Sequence, residues 1–189
     1  MKILAINRPL NEPVTISDRV DLLADSSIVL NRKPIFLPDE GEGFIGSIHP
    51  AVRICHVGRS ISTKFASRYY DSFTLVLRVM PPVNAEVPDG SAIDISFDGA
   101  LGVGDWTPVQ SVEGSDVTFA CDAITDPVTI SYDALKINES VAMLSRYFTL
   151  KNGDIIIPSL SPLASFPLQI DTRLSGSVNS VQLLDFKIK

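Results

Sequence analysis

Short runs of β-branched and aromatic residues, each closed off by Pro, Gly, Asn or Asp, leave this chain little choice but sheet. Residues 26–30, 33–37, 51–57, 73–80, 92–97, 117–121 and 128–131 all read as strands on that ground. Residues 1–6 read as a further short strand. Pro81-Pro82, Pro88-Asp89-Gly90, Glu113-Gly114, Asn152-Gly153 and the stretch 158–167 punctuate them as turns or loops. The expected class is therefore mainly β, of the α+β type.

Helical periodicity is confined to two places. Ile137, Val141, Leu144 and Phe148 form one apolar stripe, with Glu139 near its start and Arg146 near its end as the helix dipole prefers. A weaker signal covers 62–71, where Ser62 or Thr63 could cap a turn that places Phe65 and Tyr69 on one side. Asn152-Gly153-Asp154 then ends the longer helix and opens a strand at 155–157. Near the end, the turn chemistry of 175–180 lies between Leu174 and an alternating run at 181–188, a hairpin pattern.

Composition narrows the functional classes. A chain of 189 residues with 45% apolar content can bury one sizeable core, so a single domain over 1–189 is expected. The net charge of -6 and pI near 4.8 leave no surplus for phosphates, and Lys and Arg stand singly along the sequence, which argues against nucleic acid. Arg53, Arg78 and Asp154 break the apolar runs well short of the roughly 20 residues a spanning helix needs, so no membrane partner is expected. Residues 1–6 are too short for a secretory apolar region, and Cys55 and Cys121 read as thiols rather than a bridge. A cytoplasmic location follows as an expectation.

One residue conflicts with its surroundings. Arg78 interrupts the apolar run 73–80, and a guanidinium, always charged and carrying donors only, must there reach water or meet anions.

A set of fragments in fixed order goes further. They are Lys33-Pro34 with Phe36-Leu37-Pro38, Val52-Arg53-Ile54 with Val57-Gly58, Phe65-Ala66 with Arg68-Tyr69-Tyr70-Asp71, and Phe97-Asp98 with Gly104 and Trp106. Ser145-Arg146-Tyr147-Phe148-Thr149-Leu150-Lys151, Gly153-Asp154 and the closing 183–189 complete the set. From about residue 33 onward the chain resembles the fumarylacetoacetate hydrolase family, in particular its short single-domain bacterial members, hydrolases or isomerases of 2-oxo and 2-hydroxy-dienoic acids. That resemblance implies a mixed β-roll, a divalent metal on three carboxylates, and cleavage or isomerisation of a chelating oxo-acid.

The working positions implied by the resemblance have changed. The paired metal-binding glutamates correspond to Ser47 and His49, and the third ligand, an aspartate, corresponds to Arg78. A guanidinium in the coordination shell of a hard cation replaces attraction with repulsion. The family's lysine before Phe-Asp aligns with Ile95. Its substrate-contacting Thr-Gly-Thr-Pro loop aligns with 159–162, bringing Ser159 and Ser161 into the set. The segment 7–13 lacks the histidine that active members carry there. No catalytic residue, metal or cofactor is therefore expected, and the implied reading is a degenerate, non-catalytic scaffold, a pseudoenzyme that associates as a homo-oligomer such as a dimer, or with an active homologue. The alternatives are a hydrolase or isomerase of acylpyruvate or 2-hydroxyhepta-2,4-dienedioate type substrates with an altered site, and a binding module for a small carboxylic acid. Arg78 would hold that acid, or else form an internal ion pair with a residue such as Asp71 or Asp94. His49 with Cys55 and His56 could suggest a softer metal, but neighbours in an extended strand are expected to point to opposite faces.

Overall fold

The computed structural model describes residues 1–38, 43–81 and 91–189. In chain order the strands are β1 (Ile3–Asn7), β2 (Arg19–Leu23), β3 (Ile28–Leu30), β4 (Pro34–Ile35), β5 (Ile45–Ile54), β6 (Tyr70–Met80), β7 (Leu101–Val103), β8 (Thr107–Pro108), β9 (Asp116–Cys121), β10 (Val128–Ser131), β11 (Ile155–Ile157), β12 (Ala164–Pro167), β13 (Arg173–Val178) and β14 (Val181–Ile188). The helices are α1 (Ala92–Ile95) and α2 (Ile137–Tyr147). Among the described residues, one sheet runs β2-β1-β11-β5-β6-β7-β3, with β12 added to β5 and β8 to β6; a second runs β10-β9-β13-β14-β4. The class is the expected α+β.

The long central strands explain why their sequence is so apolar. β6 is buried on both faces: Phe73, Leu75, Leu77 and Val79 enter the core shared with the second sheet, while Thr74, Val76 and Arg78 face the other way. β5 divides alike, sending Ile48, Val52 and Ile54 into the main core and Ser47, His49 and Ala51 to the opposite face. That opposite face carries its own cluster of Ile3, Ala5, Leu23, Val76, Leu101, Val103, Ile155 and Ile157. α2 buries Ile137, Val141 and Leu144, the stripe read from the sequence, against the main core. Gly104 marks where the two sheets meet, because a Cβ there would lie 2.6 Å from the Leu183 carbonyl oxygen and 2.9 Å from that of Leu75.

Some expectations need correction. Residues 92–97 do not form a strand: Ser91 caps α1 by accepting from the Asp94 amide, and local capping wins over β-propensity. The helical signal at 62–71 is a 3-10 helix over Thr63–Arg68, with no side-chain cap bond at Ser62. The tail hairpin is present, but its first strand continues past Leu174 to Val178, and the reversal falls on Asn179 and Ser180, both with positive φ. β2, β7 and β8 were not anticipated, and the stretch 158–167 is not all turn or loop, since β12 pairs with β5 there. The turn expected at 88–90 lies outside the described residues. No helix among the described residues is long and apolar enough to cross a membrane.

Candidate functional site

The pairing of β5 with β6 sets Ser47 directly opposite Arg78, and His49 opposite Val76, so all three side chains share the concave face. Ser47 and His49 are joined by a 2.9 Å hydrogen bond between Oγ and Nε2. Each is almost fully buried, as is Arg78 at 8% exposure. Ile95 is buried in α1, which packs against β2 and β6. Ser159 and Ser161 flank His49 through their backbones. Ser47, His49, Arg78, Ser159 and Ser161 are thus gathered in one place, with Ile95 on the neighbouring α1.

The counterion of Arg78 is Asp21, on β2, rather than Asp71 or Asp94. Nη2 of Arg78 donates to Asp21 Oδ2 at 3.3 Å, and Nε of Arg19 donates to the other carboxylate oxygen at 2.8 Å. Asp94 adds a favourable field at longer range. β2 and β6 are separated in the sheet by β1, β11 and β5, a span of roughly 19 Å if the sheet were flat. Their direct contact therefore requires the sheet to curl, and the ion pair closes the curl from inside.

Burial and the charge of Arg78 together depress the His49 pKa to about 3, so the imidazole is neutral at ordinary pH. The backbones of Ser159 and Ser161 favour its proton, yet among the described residues Nδ1 has no hydrogen-bond partner, and neither has Nε of Arg78. Burial also lowers the pKa of Arg78, with Asp21 and Asp94 opposing the shift. Ser159 is committed elsewhere: its hydroxyl donates to the Arg8 carbonyl at 2.6 Å and accepts from the Ser161 amide at 3.0 Å.

Segment 7–13, which lacks the histidine the resemblance implies there, is organised by a second buried arginine. The Arg8 guanidinium donates to the carbonyls of Pro9, Leu10, Glu12 and Leu135. Sequence reasoning passed over Arg8 and Asp21. The alternation of Arg19, Asp21 and Leu23 on one side of a short strand was the available signal for Asp21.

These donors do not fit a hard divalent cation. Such an ion wants several anionic oxygens, whereas the cluster offers a hydroxyl, a neutral imidazole and one carboxylate already shared by two guanidinium groups. Among the described residues no three His, Cys, Asp or Glu side chains converge as ligands.

Cys55 and His56 do converge, against expectation. β5 ends at Ile54 with a register irregularity after Arg53, so the pleat no longer separates the two side chains, and Sγ lies 3.0 Å from Nδ1. Nδ1 is also 3.0 Å from the Arg68 carbonyl, so it carries a hydrogen and donates. Burial and nearby Asp71 raise the Cys55 pKa, which disfavours a thiolate. Both cysteines are free.

Other shared fragments turn out to support the framework. Arg53 stacks over Trp106 with its Cζ 5.0 Å from the ring centre. Buried Asp154 accepts from the Lys2 amide, the Lys2 ammonium and the Lys151 amide, fastening the starts of β1 and β11. A separate cleft of about 320 Å³ is bordered by Asp122, Phe166, Leu168 and Arg173, and shares no residue with the Arg78 cluster.

No family model matches the sequence, and no curated protein matches it. Solved structures do match. A fumarylpyruvate hydrolase from Pseudomonas aeruginosa, solved with Mn2+ and pyruvate, is 14% identical with a TM-score of 0.77, over 100% of this chain and 89% of that one. A fumarylacetoacetate hydrolase family protein from Yersinia pestis is 18% identical, TM-score 0.78, over 100% and 92%. A 5-carboxymethyl-2-hydroxymuconate delta-isomerase from Mycobacterium smegmatis is 19% identical, TM-score 0.82, over 99% and 78%. The fold is that of the fumarylacetoacetate hydrolase family, as the sequence fragments implied.

Proposed function

We propose that this chain is a non-catalytic scaffold with the fold of oxo-acid hydrolases and isomerases, acting as a structural or regulatory subunit in a homo-oligomer or beside an active homologue. The observation that carries the reading is the Arg78–Asp21 ion pair closing the concave face, where a cation-binding carboxylate set would be needed for metal-assisted chemistry. Residues of the shared fragments make framework contacts such as Arg53–Trp106 and Asp154–Lys2, while the cluster offers no carboxylate set, among the described residues, to hold a metal that would polarise a chelating oxo-acid. Calorimetric titration with Mg2+ or Mn2+ should give no saturable site, and acylpyruvates should not turn over. A micromolar divalent site would defeat the proposal. Turnover that persists with a chelator and is lost in Arg78→Ala would favour an enzyme with an altered site.

The unpartnered Nε of Arg78 and Nδ1 of His49 favour one further reading, a small carboxylate that competes with Asp21 for the guanidinium. Thermal-shift screening of dicarboxylates tests it: a ligand at a hundredfold its dissociation constant stabilises by about 2.7 kcal/mol. A flat response across the panel would remove that reading.

A further inference from the structure

The cations that stand singly along the sequence are gathered by the fold. Residues 43–70 contain no Asp or Glu, and neither do residues 140–153. These two acid-free stretches lie against each other. Gly58 and Leu150 exchange backbone hydrogen bonds, the Ser60 amide donates to the Ser145 carbonyl, and the Ile61 amide donates to Ser145 Oγ. The 3-10 helix Thr63–Arg68 packs on α2. Arg59, Lys64, Arg68, Arg146 and Lys151 are consequently neighbours on one exposed surface of a chain whose net charge is -6.

Lys2, Arg19, Arg32, Arg78, Arg173 and Lys189 each reach an aspartate, whereas no ion pair forms at these surface cations among the described residues. Within the same surface sit exposed apolar side chains: Val57 at 66%, Phe65 at 43% and Tyr147 at 55%. An aromatic anchor ringed by arginine is the composition of a protein-binding hot spot rather than of a merely solvated face.

We infer that this surface docks an acidic segment of a partner protein, with apolar side chains of that segment set against Phe65, Val57 and Tyr147. Nucleic acid fits less well. Phe65 is already engaged by its own neighbours, with Lys64 Nζ 5.7 Å and Arg68 Cζ 4.8 Å from the ring centre, so a stacked base would have to displace a cation. The acidic remainder of the chain repels an extended polyanion, while a short acidic segment meets only the basic surface. The inference names partner chemistry for the subunit reading and rests on it.

Fluorescence anisotropy with the full chain decides the matter, using a short labelled peptide of Asp, Glu and Leu and a single-stranded RNA of equal charge. The peptide should bind. Arg59→Glu, Lys64→Glu and Arg146→Glu combined should weaken it by about tenfold or more, and Phe65→Ala alone should weaken it without changing the salt dependence. Circular dichroism confirms that each variant keeps its fold. No peptide binding, equal binding by the triple variant, or RNA binding at least as tightly as the peptide would each overturn the inference. Failure here is distinguishable from failure of the subunit reading, which turns on metal titration and turnover and uses neither probe.

Discussion

Two arginine–aspartate pairs in this protein look alike in sequence and differ in nearly every physical respect. Arg173 meets Asp185 through two parallel bonds of 2.6 Å, yet the arginine side chain is 72% exposed. Arg78 meets Asp21 through one contact of 3.3 Å, with both side chains inside the protein. Geometry alone would rank the first pair as the stronger. Solvent reverses the ranking, because water and salt can replace an exposed partner, while nothing replaces a buried one.

Breaking the buried pair is therefore expected to give the largest effect. Arg78→Ala leaves Asp21 buried with only Arg19, and should cost about 3–5 kcal/mol, read from urea unfolding midpoints. An unchanged midpoint would mean that the pair only fills space.

The buried side of the comparison should also carry a pH signature. His49 stays neutral in the folded protein down to about pH 3, whereas its ordinary pKa is 6.5. Between those values the unfolded chain binds a proton that the folded chain refuses, so stability falls as pH drops below 6.5. The slope contributed is about 1.4 kcal/mol per pH unit, absent above pH 7. Unfolding of wild type and His49→Gln at pH 7, 6 and 5 should show a shallower fall in the variant; parallel curves would place the ring in contact with water.

Replacing both members tests whether the pair is stabilising or merely indispensable once present. Arg78→Met combined with Asp21→Leu should lie within about 1 kcal/mol of wild type, far from the single substitution, since matched apolar side chains carry no desolvation cost. Arg173→Ala should give the smallest change, one that disappears as salt is raised. A thermal midpoint as sensitive to Arg173 as to Arg78 would erase the contrast.

The same contrast explains what could be read from the sequence. α2 was legible because Ile137, Val141 and Leu144 bury one stripe, a periodicity that local geometry dictates. That Ser47, His49 and Arg78 share one site was legible because the resemblance assigns all three to one ligand set, while the register that sets Ser47 opposite Arg78 came from the structure. Asp21 was not: it lies on a short strand, and its partner is reached only through the curvature of the whole sheet. Cys55 and His56 were misjudged for a related reason, since a register irregularity in one strand undoes the alternation on which the reading relied. The surface gathered from 56–68 and 145–151 escaped notice because only the packing of α2 on the 3-10 helix brings those cations together.

One feature of the topology bears on how the molecule comes into being. β1 sits between β2 and β11, pairing in parallel with Ile155, Ile156 and Ile157. During synthesis the β1–β2 hairpin emerges before β11, and its inner edge lacks that neighbour until Ile155–Ile157 has been translated. Roughly 130 residues separate β2 from β11, so at roughly 5–20 residues per second that is a wait of roughly 7–26 s. For that interval the nascent chain displays an apolar strand edge to every other strand in its vicinity, which makes the β1–β2 hairpin the element a holdase chaperone would shield.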